Sequence, residues 1–242
     1  QSFHAGGNLR LLNNKLTLQG QLRRQSNNLE SQKRGTITRN TANASTVVQV
    51  SSRVTAMLSG MLNTIMGDAA NDTFAVNSRS TALNATTSLR GRLGAWPSVL
   101  SVTFGLQHTT DANPIHPAPA VSAQNITTAL QLQVTPAVSL APSVSGVFTH
   151  FAGTDAPAGQ KNIYAGMAAR ARFLDNRLRT GASFSRTFSQ GRKVTSGSAQ
   201  IGYPIVWNAK LSLRARYNSY TAYGSRPAFQ ESFITVTLTR SF

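Results

Sequence analysis

The sequence has no cysteine, few acidic residues and no long apolar run. The absence of cysteine from all 242 residues excludes disulfide scaffolds, cysteine-based zinc sites and thiol catalysis. The apolar runs are only a few residues long, whereas a membrane-spanning helix needs roughly 20 apolar residues. This argues against a helical membrane protein but not against a membrane β-barrel, because alternating strands average to a neutral hydropathy.

Acidic residues are not only scarce but also confined to particular places. There are 7 Asp and Glu against 24 Lys and Arg, which gives a formal charge of +17 and a pI near 11.7. The acids fall in or beside segments predicted as turns: Glu30, Asp68, Asp72, Asp111, Asp155, Asp175 and Glu231. A pI this high is typical of proteins with a nucleic-acid partner or an anionic surface.

Apolar and polar residues alternate with a period of two through most of the chain, which predicts β-strands. The clearest alternation is in Ser98–Gln107, and the C-terminus repeats it from Ile234 to Phe242. About thirteen strands are predicted: Phe3–Leu11, Lys15–Arg23, Thr36–Val50, Val54–Met66, Ser80–Leu93, Ser98–Gln107, Asn125–Val134, Val138–Phe148, Asn162–Phe173, Arg177–Phe188, Ser198–Trp207, Ala209–Tyr217 and Ile234–Phe242.

The predicted connections alternate between tight and long. The tight ones are Asn13-Asn14, Ser51–Arg53, Gly94–Pro97, Pro136, Asp175-Asn176 and Trp207-Asn208. The long or polar ones are Ser26–Gly35, Gly67–Asn77, Thr109–Val121, Ala152–Gln160, Ser189–Arg192 and Thr221–Gln230. Transmembrane barrels sort their loops in this way, with short periplasmic turns and longer outer loops, whereas a soluble sandwich has no reason to do so.

Strand length agrees with that interpretation, because each run is roughly 9–15 residues and a membrane-crossing strand needs about 9–11. The predicted fold class is therefore all-β: a transmembrane antiparallel up-and-down β-barrel of about 12–14 strands. It forms a single domain over residues 1–242, with the C-terminus on the periplasmic side.

The last strand resembles that of bacterial outer-membrane β-barrel proteins, because its alternation over Ile234–Thr239 leads to the terminal aromatic Phe242. The segment Leu9–Leu18 also looks like a hairpin of that class. The resemblance implies a porin-like protein of the bacterial outer membrane, in contact with outer-membrane lipid and lipopolysaccharide. It also implies that Phe242 is an assembly signal read by the barrel-assembly machinery.

An odd strand count would leave the N-terminus on the side of the long loops, whereas single-chain bacterial barrels have even counts. Either Phe3–Leu11 pairs without spanning, which gives 12 strands, or an upstream strand completes a barrel of 14 or more. The abrupt start at Gln1, in the middle of the alternation, favours a missing upstream segment.

Many basic residues fall on the polar side of the predicted strands, where few carboxylates accompany them. The predicted pore-lining residues are Arg90, Arg92, Arg170, Arg172, Arg177, Arg179, Lys210, Arg214 and Arg216. A lumen lined in this way carries a positive potential, which predicts a passive pore for small anionic solutes. Two alternatives stay open. The basic side chains fill the barrel or meet lipid phosphates at its rims, or the barrel is a plugged scaffold subunit of a larger envelope complex.

Several aromatic residues lie near the predicted strand ends, where the girdle residues of membrane barrels meet the interface. The predicted interface aromatics are Trp96, Phe173, Tyr203, Trp207 and Tyr217. A water-filled barrel has no apolar core in which these side chains could be buried.

The sequence offers no pattern for catalysis. The four histidines, His4, His108, His116 and His150, show neither metal-ligand spacing nor a recognisable order with serine and carboxylate. We therefore expect no enzyme activity, metal or cofactor. A basic nucleic-acid-binding β protein is the remote alternative, but it would cluster its basic residues with exposed stacking aromatics. The basic residues here are spread over many strands, so no nucleic-acid partner is expected.

We expect the substitution Phe242→Ala to reduce insertion into the outer membrane far more than it reduces the stability of the fold. A terminal side chain makes few packing contacts, so its larger role is recognition by the assembly machinery. The amount of protein in isolated outer membranes is compared with the denaturant midpoint of the same variant refolded in detergent. Normal outer-membrane levels of the variant would contradict the prediction.

Overall fold

The computed structural model describes residues 2–27, 35–69, 77–111, 118–152, 159–175, 177–189, 192–205, 209–222, 224 and 227–240. The fold consists of β1 (Ser2–Leu11), β2 (Leu16–Ser26), β3 (Gly35–Gln49), β4 (Val54–Ala69), β5 (Asn77–Leu93), β6 (Trp96–Asp111), β7 (Ala120–Thr135), β8 (Val138–Ala152), β9 (Gln160–Phe173), β10 (Leu178–Ser189), β11 (Arg192–Pro204), β12 (Ala209–Tyr220) and β13 (Phe229–Arg240). Among these residues, no helix is long and apolar enough to cross a membrane.

The thirteen strands form one sheet in which each strand lies next to its neighbours in sequence, from β1 to β13. The pairing is antiparallel, for example between β1 and β2 and between β12 and β13. This up-and-down order is the strand arrangement of outer-membrane β-barrels. The predicted all-β, antiparallel up-and-down fold and its thirteen strands are therefore confirmed.

Most predicted connections lie between the observed strands, but one strand boundary is wrong. β10 ends at Ser189 and β11 begins at Arg192, which agrees with the predicted connection Ser189–Arg192, whereas the next strand was expected to begin only at Ser198. The start of β11, from Arg192 to Gly197, has Lys193, Thr195 and Gly197 where alternation requires apolar residues. Its backbone nevertheless pairs with β10 and β12, and ladder hydrogen bonds do not depend on side-chain type.

The predicted tight turn at Asn13-Asn14 is confirmed. Both residues have a positive φ, 54° and 65°, and the Lys15 amide donates to the Leu12 carbonyl at 3.1 Å. Positive φ at both central positions is a feature of type I′ turns, which are common in hairpins. Asparagine tolerates this conformation better than most residues, but Leu12 before it also has a positive φ, of 53°, so the local sequence explains only part of the turn.

Two faces follow from the strand register, because directly opposite residues in an antiparallel pair share a face. The apolar face of β10–β13 carries one row of opposite residues: Ala182, Ala199, Ala215 and Ile234. The polar face, on the other side of the sheet, carries Ser183 opposite Ser198, and their hydroxyls are 2.7 Å apart. The same alternation places Leu22 opposite Ala42 and Gln21 opposite Asn43 in β2 and β3.

The residues group into two compact units. Unit 1 comprises Gln1–Ser88, Val102–Ile126 and Val147–Gln160, and unit 2 comprises Leu89–Ser101, Thr127–Gly146 and Lys161–Phe242. In unit 1, the apolar face of β1–β4 carries Leu9 opposite Leu18, with Gly7 opposite Gly20 beside them. In unit 2, the apolar face of β9–β13 is richer in large side chains, such as Phe184 and Leu213.

The apolar residues do not form an internal core. Among the described residues, the only buried hydrophobic side chain is Leu132, at 8% exposure. Ile234 and Leu238 on the apolar face of β13 are 75% and 66% exposed. An apolar surface this extensive is typical of a protein that contacts lipid or another apolar partner.

Three of the carboxylates that were predicted in or beside turns lie within strands. Asp68, Asp111 and Glu231 lie inside β4, β6 and β13, each near a strand end next to one of the longer connections. Glu231 lies on the polar face, opposite Asn218. Strands of 12 to 17 residues extend past the length that an apolar band requires, so their ends accommodate charge.

We expect Ala199→Arg to destabilise the protein in lipid vesicles by about 2–4 kcal/mol, because it places a charge on the apolar face near the middle of β11. The matched control is Ser196→Arg, which adds the same side chain to the polar face of the same strand and should have a much smaller effect. Denaturant titration of both variants in vesicles measures the difference. Equal destabilisation would contradict the assignment of the two faces.

Candidate functional site

Five basic side chains gather on the polar face of unit 2 and line a groove of about 480 Å³. We call this feature the basic groove; its basic residues are Arg170, Arg172, Arg179, Lys210 and Arg214. They come from β9, β10 and β12, so residues far apart in the sequence become neighbours. All five side chains are exposed.

Strand register explains how the groove forms. Arg172 lies directly opposite Arg179, and the row continues through Gly202 and Ser212. The next row contains Arg170, Gly181, Gln200 and Arg214 in the same way. Facing side chains in such rows have Cβ atoms about 4.5–5.5 Å apart, so each row is continuous.

Glycines stand in both rows of opposite residues that build the basic groove. Gly181 separates Arg170 from Gln200, and Gly202 separates Arg179 from Ser212. A Cβ on Gly181 would lie 3.1 Å from the Gln200 side-chain nitrogen. The Gln200 side chain therefore extends over Gly181, and the Lys210 side chain lies 3.5 Å from a Cβ placed on Gly202, so both glycines leave room for neighbouring polar side chains.

Carboxylates are absent from the lining of the basic groove, as far as the described residues define it. Glu231 shares the polar face but lies near the other end of β13, where it accepts hydrogen bonds from Asn218 at 2.7 Å and Tyr220 at 2.9 Å. The Arg192 guanidinium lies 4.9 Å from the centre of the Tyr220 ring. The groove therefore has a positive potential that no lining residue neutralises.

The remaining predicted pore-lining residues lie outside the groove. Arg216 occupies the polar face of β12 between Ser198 and Phe233. Arg177 lies in the turn before β10, where its amide donates to the Leu174 carbonyl at 3.0 Å. Arg90 and Arg92 lie on β5 in phase with Thr86, whose hydroxyl contacts that of Thr103 at 3.1 Å across the polar face.

The described interface aromatics lie on the apolar face. Phe173 and Tyr203 are near the ends of β9 and β11 that lead into tight turns, and Trp96 begins β6. With Tyr217, these side chains are 40–46% exposed. Trp207 and Phe242 lie outside the described residues.

Two of the histidines have polar side-chain partners in the described part of the chain. Nδ1 of His108 is 2.8 Å from the Ser122 hydroxyl, and the side-chain nitrogen of Gln21 is 2.6 Å from Nε2 of His4. No group of three potential metal ligands occurs among the described residues. His116 lies outside them.

The sequence identified the basic residues of the groove but not the residues that stand between them in the rows. Gly181, Gly202 and Gln200 have no functional signature of their own, because their role depends on the rows in which they stand. The available signal is the register between neighbouring strands: once a tight turn fixes one pair of residues, antiparallel geometry fixes every other pair.

No protein-family model matches the chain, and no curated protein matches it. Among solved structures, the alcaligin outer-membrane receptor of Bordetella pertussis is similar, with a TM-score of 0.48 and 11% identity over 98% of this chain and 62% of that chain. A bacterial polysaccharide outer-membrane secretin has a TM-score of 0.35 and 11% identity, over 94% and 91% of the two chains. The chain thus spans less than two thirds of the receptor's length.

Because the five basic side chains repel one another, we expect the fold to be less stable at low ionic strength. Raising the NaCl concentration to about 0.5 M shortens the range of that repulsion and should raise the free energy of unfolding. The double substitution Arg170→Gln with Arg214→Gln should remove part of this salt dependence in denaturant titrations. The control, Arg24→Gln with Arg53→Gln, removes the same charge elsewhere; an equal effect of the two pairs would contradict the prediction.

Proposed function

We propose that the chain is a β-barrel of the bacterial outer membrane that passes small anionic solutes through a basic lumen. The basic groove on the polar face carries this proposal. In a closed barrel the apolar face meets lipid, so the polar face lines the interior. The exposure of Ile234 and Leu238 on the apolar face supports this orientation.

The proposed selectivity follows from the groove's chemistry. Guanidinium groups donate several hydrogen bonds in a fixed geometry that matches carboxylate, phosphate and sulfate oxygens. The groups are exposed on the polar face, so an anion is attracted without being fully enclosed. Conduction requires this balance, in which binding favours entry but remains weak enough for release.

The proposed partners are outer-membrane lipid, lipopolysaccharide and the barrel-assembly machinery. Some basic residues lie on the apolar face, which supports contact with lipid phosphates: Arg186 and Lys193 occupy that face near the connection between β10 and β11. The Arg186 guanidinium lies 5.1 Å from the centre of the Phe188 ring. A cation beside an exposed aromatic ring is typical of the membrane interface.

Purified protein in planar bilayers with a KCl gradient should give a reversal potential of the sign that indicates preference for chloride. Replacing Arg170, Arg172, Arg179 and Arg214 with Gln should reduce that preference, because the groove then loses most of its charge. The control replaces Arg24, Arg53, Arg79 and Arg186 with Gln. These residues lie on the apolar face or in a connection, so their loss should leave the preference unchanged.

Two results would overturn the proposal. Equal loss of chloride preference in both sets would show that net charge, rather than the groove, sets selectivity. A folded barrel without conductance would instead favour the plugged scaffold subunit of a larger envelope complex. Folding is checked by the change in gel mobility between heated and unheated samples.

A further inference from the structure

A second polar region, in unit 1, has a different chemistry. A recess of about 300 Å³ is lined on the polar face by the carboxamides of Gln19, Gln21, Asn43 and Asn84. The hydroxyls of Ser45 and Ser59 and the side chain of Met61 complete its functional lining. No charged residue lines it among the described residues. We call this feature the amide recess.

Two rows of opposite residues build the amide recess. Gln19 lies opposite Ser45, which lies opposite Ser59. Gln21 lies opposite Asn43, which in turn lies opposite Met61. Facing side chains at these spacings form a continuous surface of alternating amide and hydroxyl groups.

The hydrogen-bonding capacity of this surface is largely unused. Gln19, Asn43 and Asn84 have no side-chain hydrogen bond to any described residue. Gln21 uses one amide hydrogen, since its nitrogen can only donate and Nε2 of His4 therefore accepts. Each carboxamide offers two donor hydrogens and one acceptor oxygen, so the recess offers both kinds of group side by side.

A glycine on the neighbouring strand leaves room for the Asn84 carboxamide. Gly105 on β6 is buried, and a Cβ at this position would overlap the Asn125 carboxamide and lie 2.7 Å from the Asn84 oxygen. The amides of Asn84 and Asn125 therefore occupy the space above a bare backbone. Any residue other than glycine at this position would displace them.

We propose that the amide recess binds a neutral saccharide. Sugar hydroxyls both donate and accept, and carboxamides match them at a fixed spacing, while the apolar C–H side of a sugar ring suits Met61, which is 42% exposed. A free anion would find no cation in the lining. A peptide would need unpaired strand backbone, but the backbones of Gln19 and Asn43 are engaged in ladders on both sides.

The proposal is tested by titrating maltotriose, and separately raffinose, into protein held in a detergent that contains no sugar. Saturation-transfer NMR detects contact and calorimetry gives the affinity. The double substitution Asn43→Leu with Asn84→Leu should weaken binding by roughly tenfold, as expected for the loss of two hydrogen bonds. Gln25→Leu is the matched control, because it removes a carboxamide on the polar face of β2 outside the recess.

A second variant, Gly105→Ala, keeps every carboxamide but displaces two of them, so it should also weaken binding. This variant tests the site if the double variant fails to fold. The site is refuted if folded wild-type protein binds neither sugar, if Gln25→Leu weakens binding as much as the double variant, or if trialanine binds more tightly than either sugar. The assay needs no conductance, so its failure is distinguishable from that of the proposed pore.

Discussion

The continuous antiparallel ladder is the constraint on which the rest of this structure depends. Backbone N–H and C=O groups must be paired wherever water cannot reach them, and in the described part of the chain thirteen sequential strands satisfy this through one continuous sheet. Once the ladder is set, successive side chains alternate strictly between two faces. A slip by one residue would exchange the faces, moving Ala199 and Ile234 to where Ser198 and Thr235 now stand.

The alternation explains why the described residues form no apolar core. Most large apolar side chains occupy one face and remain exposed, with exceptions such as Phe233 and Met61 on the polar face, whereas Leu132 is the only buried one among the described residues. Stability must therefore come from ladder hydrogen bonds, cross-strand pairs and the surroundings of the apolar face. This arrangement suits a lipid environment, in which exposed apolar surface is favourable.

The cross-strand rows also determine which functional side chains lie close together. In unit 2 the rows bring arginines of β9, β10 and β12 to one groove, with Gly181 and Gly202 between them. In unit 1 the rows bring carboxamides and hydroxyls together, with Gly105 leaving room for Asn84. The scarcity of acids thus matters at the basic groove, whose positive potential persists because no carboxylate in its lining neutralises it.

The sequence by itself determined the strand content, the two faces and the turn at Asn13-Asn14, because these depend on period-two alternation and on the conformational preference of asparagine. It also identified the arginines of β9 as polar-face residues. It did not reveal that β11 begins at Arg192, since that segment lacks the alternating pattern and is held by pairing with its neighbours. The positions of Gly181, Gln200, Asn43 and Asn84 in their rows were likewise decided only by tertiary structure. Register joins residues that are distant in the chain, and only across a tight turn does the local sequence fix which of them lie opposite one another.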